Sequence, residues 1–231
     1  MSGLQFTAQQ GTSNSVQPLT PWNIHIVQFK GIEYAEFKGK TNDTQYHVMK
    51  VKFANEDGVF EHSVFMPKLE DATRKMNESS GKEMPSNWDN FQFLISHLGE
   101  RLAPEVWEKN KSKLAFDVTT LEGFKKFIGA LSQILKGALD KEFPLKLIGD
   151  KQNRSRLPYY VALNKNGEAF ISNNFLGEKL FFSDFEISQK TKIQNTKPTT
   201  MNATTNELDI PDNSDLSLVA DDLNDMDFEI D

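Results

Sequence analysis

The sequence contains no cysteine, so disulfides, thiolate metal sites and thiol nucleophiles are excluded by composition. No apolar run approaches the ~18 residues that a membrane-spanning helix needs. The first residues lack a charged segment followed by an apolar one, so no secretory leader is expected. These absences predict a soluble chain with no membrane partner, located in the cytoplasm (the host cytoplasm if the source is viral). Catalytic signatures are missing as well. There is no GxxxxGK[ST] or GxGxxG to cradle a phosphate, no GxSxG elbow and no HExxH. Histidine is sparse: His25, His47, His62 and His97. A three-histidine site on successive strands would suit zinc. None of these residues is at a close ligand spacing, however, so no metal and no other cofactor is expected, and the chain reads as non-enzymatic.

Positive charge is also missing from one end. No Lys or Arg follows Lys197, while residues 207–231, ELDIPDNSDLSLVADDLNDMDFEID, hold ten carboxylates. The whole chain has 26 basic and 33 acidic residues; without the ten tail acids, 23 remain and the body carries +3. A mildly basic body with an anionic tail raises the question of a polyanionic partner. The tail lacks the central Gly and terminal Glu of a calcium-binding loop. Its acids are interrupted by Leu216, Leu218, Val219, Leu223, Met226, Phe228 and Ile230. A tail that only solubilises does not need those residues, whereas one that docks in a basic-rimmed apolar pocket does.

The chain divides by composition. Residues 1–20 are polar and predict a flexible arm. Residues 21–189 hold the periodic, apolar segments. Residues 190–206 are rich in Thr and Asn and predict a flexible linker, followed by the acidic tail 207–231. Within the body, WNIHIVQFKGIEYAEFKGK reads as a long strand bent at Gly31. TQYHVMKVKF alternates, with His47, Met49, Val51 and Phe53 on one face and Tyr46, Val48, Lys50 and Lys52 on the other. Asp57-Gly58 signals a hairpin into VFEHSVFM, completing a three-stranded meander. Residues 68–140 then change period. A short polar helix is expected over 68–78. A helix starting near Ser86 carries Phe91, Leu94, Ile95, Leu98 and Leu102 on one stripe; Asp89 gives it only an approximate capping box. A further helix carries Leu121, Phe124, Ile128, Leu131 and Leu135, with Thr119 and Glu122 at capping-box spacing. Strands return as FPLKLIGD, with Pro144 suggesting an edge, then LPYYVALN and EAFISN around an Asn166-Gly167 turn. LFFSDFEISQ closes the ordered part.

Aromatic and basic residues are interleaved in these strands. Trp22, Tyr34, Phe37, Lys38 and Lys40 lie in the first strand and its exit. Tyr46, Lys50 and Lys52 share one face of the second. Arg154, Arg156, Tyr159 and Tyr160 lie in and after a later loop. Single-stranded nucleic acids are held by such mixtures, because exposed bases stack on rings while cations track phosphates. Strands of any barrel contain Tyr, Phe and Lys as core and solvated faces, so no single residue identifies the partner.

Three strands, a helical interval and two more strands resemble the OB-fold, a five-stranded, partly open barrel that binds oligonucleotides on strands 2–3 and neighbouring loops. The fold class expected is β-rich α+β: an OB-fold-like antiparallel barrel with a helical insertion (68–140) between strands 3 and 4, and disordered termini. With its linker and acidic tail, the chain is similar to phage-type single-stranded DNA-binding proteins. That resemblance implies binding of single-stranded DNA in replication, recombination and repair. It also implies a tail that recruits replication or recombination proteins and competes with DNA, with Asp225, Asp227, Phe228, Glu229, Ile230 and Asp231 in the docking role. A homo-oligomeric state stays open. Two other classes fit less of the sequence: an adaptor that binds protein through its barrel and helices, and a β-rich hydrolase with carboxylates far apart in sequence.

Overall fold

Strand β1 (Asn23–Lys38) sets the architecture, because it is long, rich in β-branched and aromatic residues, and interrupted by Gly31. The computed structural model describes residues 17–39, 44–78, 80–158, 161–171 and 174–195. Gly31 has φ 104°, a backbone conformation that L residues rarely enter. The register against β2 (Gln45–Asn55) slips there, from Phe29 opposite Phe53 to Gly31 opposite Lys52. The bulge reverses which residues face inward. Before it Val27 and Phe29 are buried; after it Ile32 is. It also divides the strand's partners: the second half pairs with β2 and the first with β4 (Glu142–Gly149).

The outcome is an α+β protein. Its five antiparallel strands run in the order β3-β2-β1-β4-β5, curled into a half-barrel, with β3 at Gly58–Phe65 and β5 at Ser155–Arg156. Four α-helices accompany the sheet among the described residues, and none is long and apolar enough to cross a membrane. They are α1 (Asn87–Leu102), α2 (Pro104–Asn110), α3 (Leu121–Leu135) and α4 (Asp184–Asn195). The inner face of the sheet gives Phe29, Ile32, Met49, Val51 and Phe53 to a core shared with Leu94 and Leu98 of α1 and Phe124 and Leu131 of α3. Burying one such side chain is worth ~1.5–3 kcal/mol, so this layer dominates the stability of the body.

Several local expectations need correction. Ser86 and Asp89 form a complete reciprocal capping box rather than an approximate one. At α3 the N-cap is Thr120, not Thr119: its hydroxyl accepts the Gly123 N–H at 3.1 Å, while the Thr119 hydroxyl is turned to Asp117. The polar helix expected over 68–78 is only a 3-10 turn at Leu69–Ala72. Strands β6 (Val161–Leu163) and β7 (Ala169–Ile171) form a separate two-stranded sheet rather than extending the main one. Their turn satisfies itself, since the Asn164 side chain accepts the N–H groups of Asn166 and Glu168. Arg74 anchors the hairpin to α1, binding Asp89 through two nitrogens and donating to the Gly167 carbonyl at 2.7 Å. Pro144 lies beyond the part of β4 that β5 reaches; there the next chain is 175–177, with Gly177 N–H bonded to the Pro144 carbonyl. Finally, α4 continues past Gln189 to Asn195, into the stretch expected as linker.

The two edges of the half-barrel are joined by residues 17–20. Val59 of β3 donates its N–H to Gln17 O (2.9 Å) and accepts from Leu19 N (3.1 Å). Leu19 is 2% exposed, and its carbonyl accepts from the Ser155 hydroxyl on β5. His25 fixes the next residue through a 2.8 Å bond to Thr20 O. Gly58 makes the approach possible, because a Cβ there would lie 2.2 Å from Gln17 O.

Candidate nucleic-acid interface

Among the described residues, one face of the sheet is covered by helices and the other carries no helix over β1–β3. Register identifies the open face. The Asn55–Gly58 hairpin places Lys52 opposite Glu61, Lys50 opposite Ser63 and Val48 opposite Phe65. On the other side of β2, Tyr46 is opposite Phe37, Val48 opposite Ala35 and Lys50 opposite Glu33. Since directly paired residues point the same way, Glu33, Ala35, Phe37, Tyr46, Val48, Lys50, Lys52, Glu61 and Phe65 share the outer face. The alternation within β2 was legible in the sequence; the contributions of its neighbours needed the register.

One end of this face is aromatic. Phe37 and Tyr46 stack with ring centroids 5.5 Å apart and 23° between planes. Phe65 meets both edge-on, at 6.0 Å from Phe37 and 5.8 Å from Tyr46. All three rings are half-buried, so each keeps some surface in water, while Val48 on the same face is fully buried. Phe65 was not among the residues expected. The hairpin register that brings it here follows from the turn position, and that was the available signal.

The other end is charged but neutral overall. Lys52 contacts Glu33 at 2.6 Å and Glu61 at 3.5 Å, and Lys50 contacts Glu61 at 2.9 Å. Hydrogen bonding to Glu33 is the main cause that raises the Lys52 pKa above its ordinary value. Partial burial by itself would raise the Glu61 carboxyl, but the ammonium groups of Lys50 and Lys52 outweigh that and hold it below the usual range. Two cations and two anions thus form a ladder rather than the bare positive stripe suggested by β2 alone.

The remaining expected residues are dispersed. Trp22 is 8% exposed and donates its indole N–H to Asn153 at 2.9 Å, so its ring is packing material rather than a platform. Tyr34 points to the inner side, bonded to His47 Nδ1 at 2.6 Å and to Glu36 at 2.9 Å, with the Lys125 ammonium of α3 over its ring at 4.4 Å. Lys38 is exposed at the end of β1, one position on from Phe37 and with the opposite facing. Arg154 is bound by Asp150 at 2.6 Å in the β4–β5 loop, and Arg156 lies on β5; β1 and β4 separate both from the β2 lysines in the sheet order. Lys40, Tyr159 and Tyr160 lie outside the described residues, as do Asp225, Asp227, Phe228, Glu229, Ile230 and Asp231. The histidines are not gathered: His25 serves Thr20, His47 serves Tyr34, and no group of three or more His, Asp or Glu able to hold a metal occurs among the described residues.

Across β1, the β4 side of the same face is closed by a feature that sequence reading missed. Lys146 and Glu186 both have side chains with 0% exposure, and the ammonium lies 3.1 Å from each carboxylate oxygen. Lys146 also donates to Phe181 O at 2.8 Å. Burial pulls its pKa down, against the opposing pull of Glu186. Glu186 doubles as a helix cap, accepting the Ser183 N–H at 2.8 Å. The signal was present: Ser183 and Glu186 stand at capping-box spacing, which predicts a helix start within residues 180–189, a segment expected only to close the ordered part. Comparisons of the chain with protein-family models, with curated proteins and with solved structures return no match.

Proposed function

We propose that this chain is a non-enzymatic, non-sequence-specific single-stranded DNA-binding protein acting in replication, recombination and repair. The observation that carries the reading is the Phe37–Tyr46–Phe65 cluster on the open face of β1–β3. Stacking on such rings is worth about 1–3 kcal/mol per base and tolerates any sequence. The body is read as an OB-like half-barrel with residues 68–140 inserted between its third and fourth strands. In that fold, oligonucleotides lie over strands 2–3, flanked by the loops after strands 1 and 4. The corresponding positions hold Tyr46, Lys50, Lys52 and Phe65, with Lys38 entering one loop and Arg154 in the other. In this reading the acidic residues 207–231 recruit replication proteins and compete with DNA.

Anisotropy of a labelled oligo-dT tests the proposal. Intrinsic tryptophan emission is a poor reporter, because Trp22 and Trp107 are buried and Trp88 is stacked on Phe91. Binding to single-stranded over double-stranded DNA, weakened ten-fold or more by Y46A/F65A, is the expected result. Absence of binding refutes it. The adaptor reading draws on two observations: the Lys50–Lys52–Glu33–Glu61 ladder carries no net charge, and Ile26 and Phe181 are 54% and 69% exposed. A chain that ignores DNA but retains a protein partner through the Y46A-sensitive face would establish it instead.

A further inference from the structure

The lysines on the open face are already occupied. Glu61 bridges Lys50 at 2.9 Å and Lys52 at 3.5 Å, and Glu33 holds Lys52 at 2.6 Å. The side chains of Lys50 and Lys52 are only 20% and 27% exposed, so their charge is turned into the ladder rather than into solvent. A phosphate approaching this end of the face meets two carboxylates as well as two ammonium groups. The Phe37–Tyr46–Phe65 rings lie beside it on the same face.

We infer that Glu33 and Glu61 are specificity-determining residues: they stand where backbone phosphates would otherwise sit, and so set the face to recognise bases by stacking and to ignore backbone charge. This rests on the single-stranded nucleic-acid reading of the same face. Its physical basis is counterion release. A protein group that neutralises a phosphate of a single strand steepens the dependence of log K on log salt by about 0.7. A ladder with no net charge neutralises none, so Lys50 and Lys52 add nothing to the salt slope while their partners are in place. A polynucleotide with an uncharged backbone is therefore as good a ligand for this part of the interface as a phosphodiester.

The test uses the full chain and two probes, oligo-dT and the methylphosphonate oligomer of the same length, titrated by anisotropy over a salt series. Wild type sets the reference ratio between the two probes, to which Lys38 and Arg154 contribute equally in every variant. E33Q/E61Q frees two cations. It should bind oligo-dT about ten-fold or more tighter at low salt, with a slope steeper by about 1.4, and should gain nothing on the methylphosphonate. K50Q/K52Q/E33Q/E61Q, uncharged throughout, should match wild type on both probes, which separates a charge effect from damage to the fold. The inference is overturned if E33Q/E61Q keeps the wild-type slope, or if the uncharged ladder loses oligo-dT binding, since the lysines would then be direct phosphate contacts. If no protein binds either probe, the reading of the face as a nucleic-acid interface fails, and the inference with it.

Discussion

Gly58→Ala is expected to unseat residues 17–20. The new Cβ would fall 2.2 Å from Gln17 O and 3.1 Å from Gln17 C, both backbone atoms that no rotamer change can move. The segment must shift, and three hydrogen bonds go with it: Val59 to Gln17, Leu19 to Val59, and Ser155 to Leu19. At ~1 kcal/mol each, plus ~2 kcal/mol for returning the Leu19 side chain to water, the loss is about 5 kcal/mol. Replacing a strand glycine by alanine recovers ~0.5–1 kcal/mol, leaving a net cost of about 4 kcal/mol. For a chain of this size each kcal/mol lowers Tm by ~2–4 °C, so a drop of roughly 8–16 °C is expected. Thermal and urea unfolding followed by circular dichroism measure it. G129A is the control: a Cβ there meets nothing within 4 Å, and α3 gains helix propensity. The decisive comparison is G58A with L19A. If both act by releasing the same segment, the double variant costs much less than the sum. A G58A protein within 1 kcal/mol of wild type, or strict additivity with L19A, would refute the reasoning.

Two further outcomes concern buried charge. His97 is 6% exposed and packs against Phe175 at 4.5 Å; burial first, and the Arg101 charge second, push its pKa down to about 4. Between about 4 and the ordinary 6.5 the unfolded chain binds a proton that the folded chain refuses. Stability therefore falls as pH drops through that window, by up to ~1.4 kcal/mol per pH unit from this residue. H97Q should flatten the slope measured by urea unfolding between pH 6.5 and 4.5; an unchanged slope would remove His97 from the account. Glu186→Gln leaves the Lys146 ammonium buried without its counter-charge, an expected cost of ~3–5 kcal/mol, whereas K146M/E186L replaces the pair by apolar packing and should recover most of it. Recovery failing in a folded double variant would mean that the pair is valued for geometry rather than charge balance.

Much of the sheet was readable because its signals are local. The bend at Gly31, the alternation Tyr46-Val48-Lys50-Lys52 and the hairpin before β3 each lie within a short window, and the structure shows all three. The turn signal carried a different cause from the one expected. Gly58 is not needed for a positive φ; it opens β3 and admits Gln17, from a part of the chain that turn chemistry does not report. Helices α1 and α3 were legible from their apolar stripes, but the start of α3 depended on which hydroxyl turned inward, hence Thr120 in place of Thr119. The interface was the least legible part. Basic and aromatic residues are visible in sequence, whereas Glu33 and Glu61 matter only because register sets them beside Lys50 and Lys52. Trp22 and Tyr34 read as platforms by type, yet one is buried and the other lies beneath α3.

Residues 17–20 also have a place in time. Leu19 and Ser155 are 136 residues apart in the chain. Bringing them together before the sheet exists would cost the closure entropy of nearly the whole body, so their contact is expected to follow assembly of the strands. Contacts made after the transition state leave the folding rate alone and govern the escape rate from the native state. The link to Ser155 is expected to act as a clasp, slowing the opening of the half-barrel more than it speeds its formation.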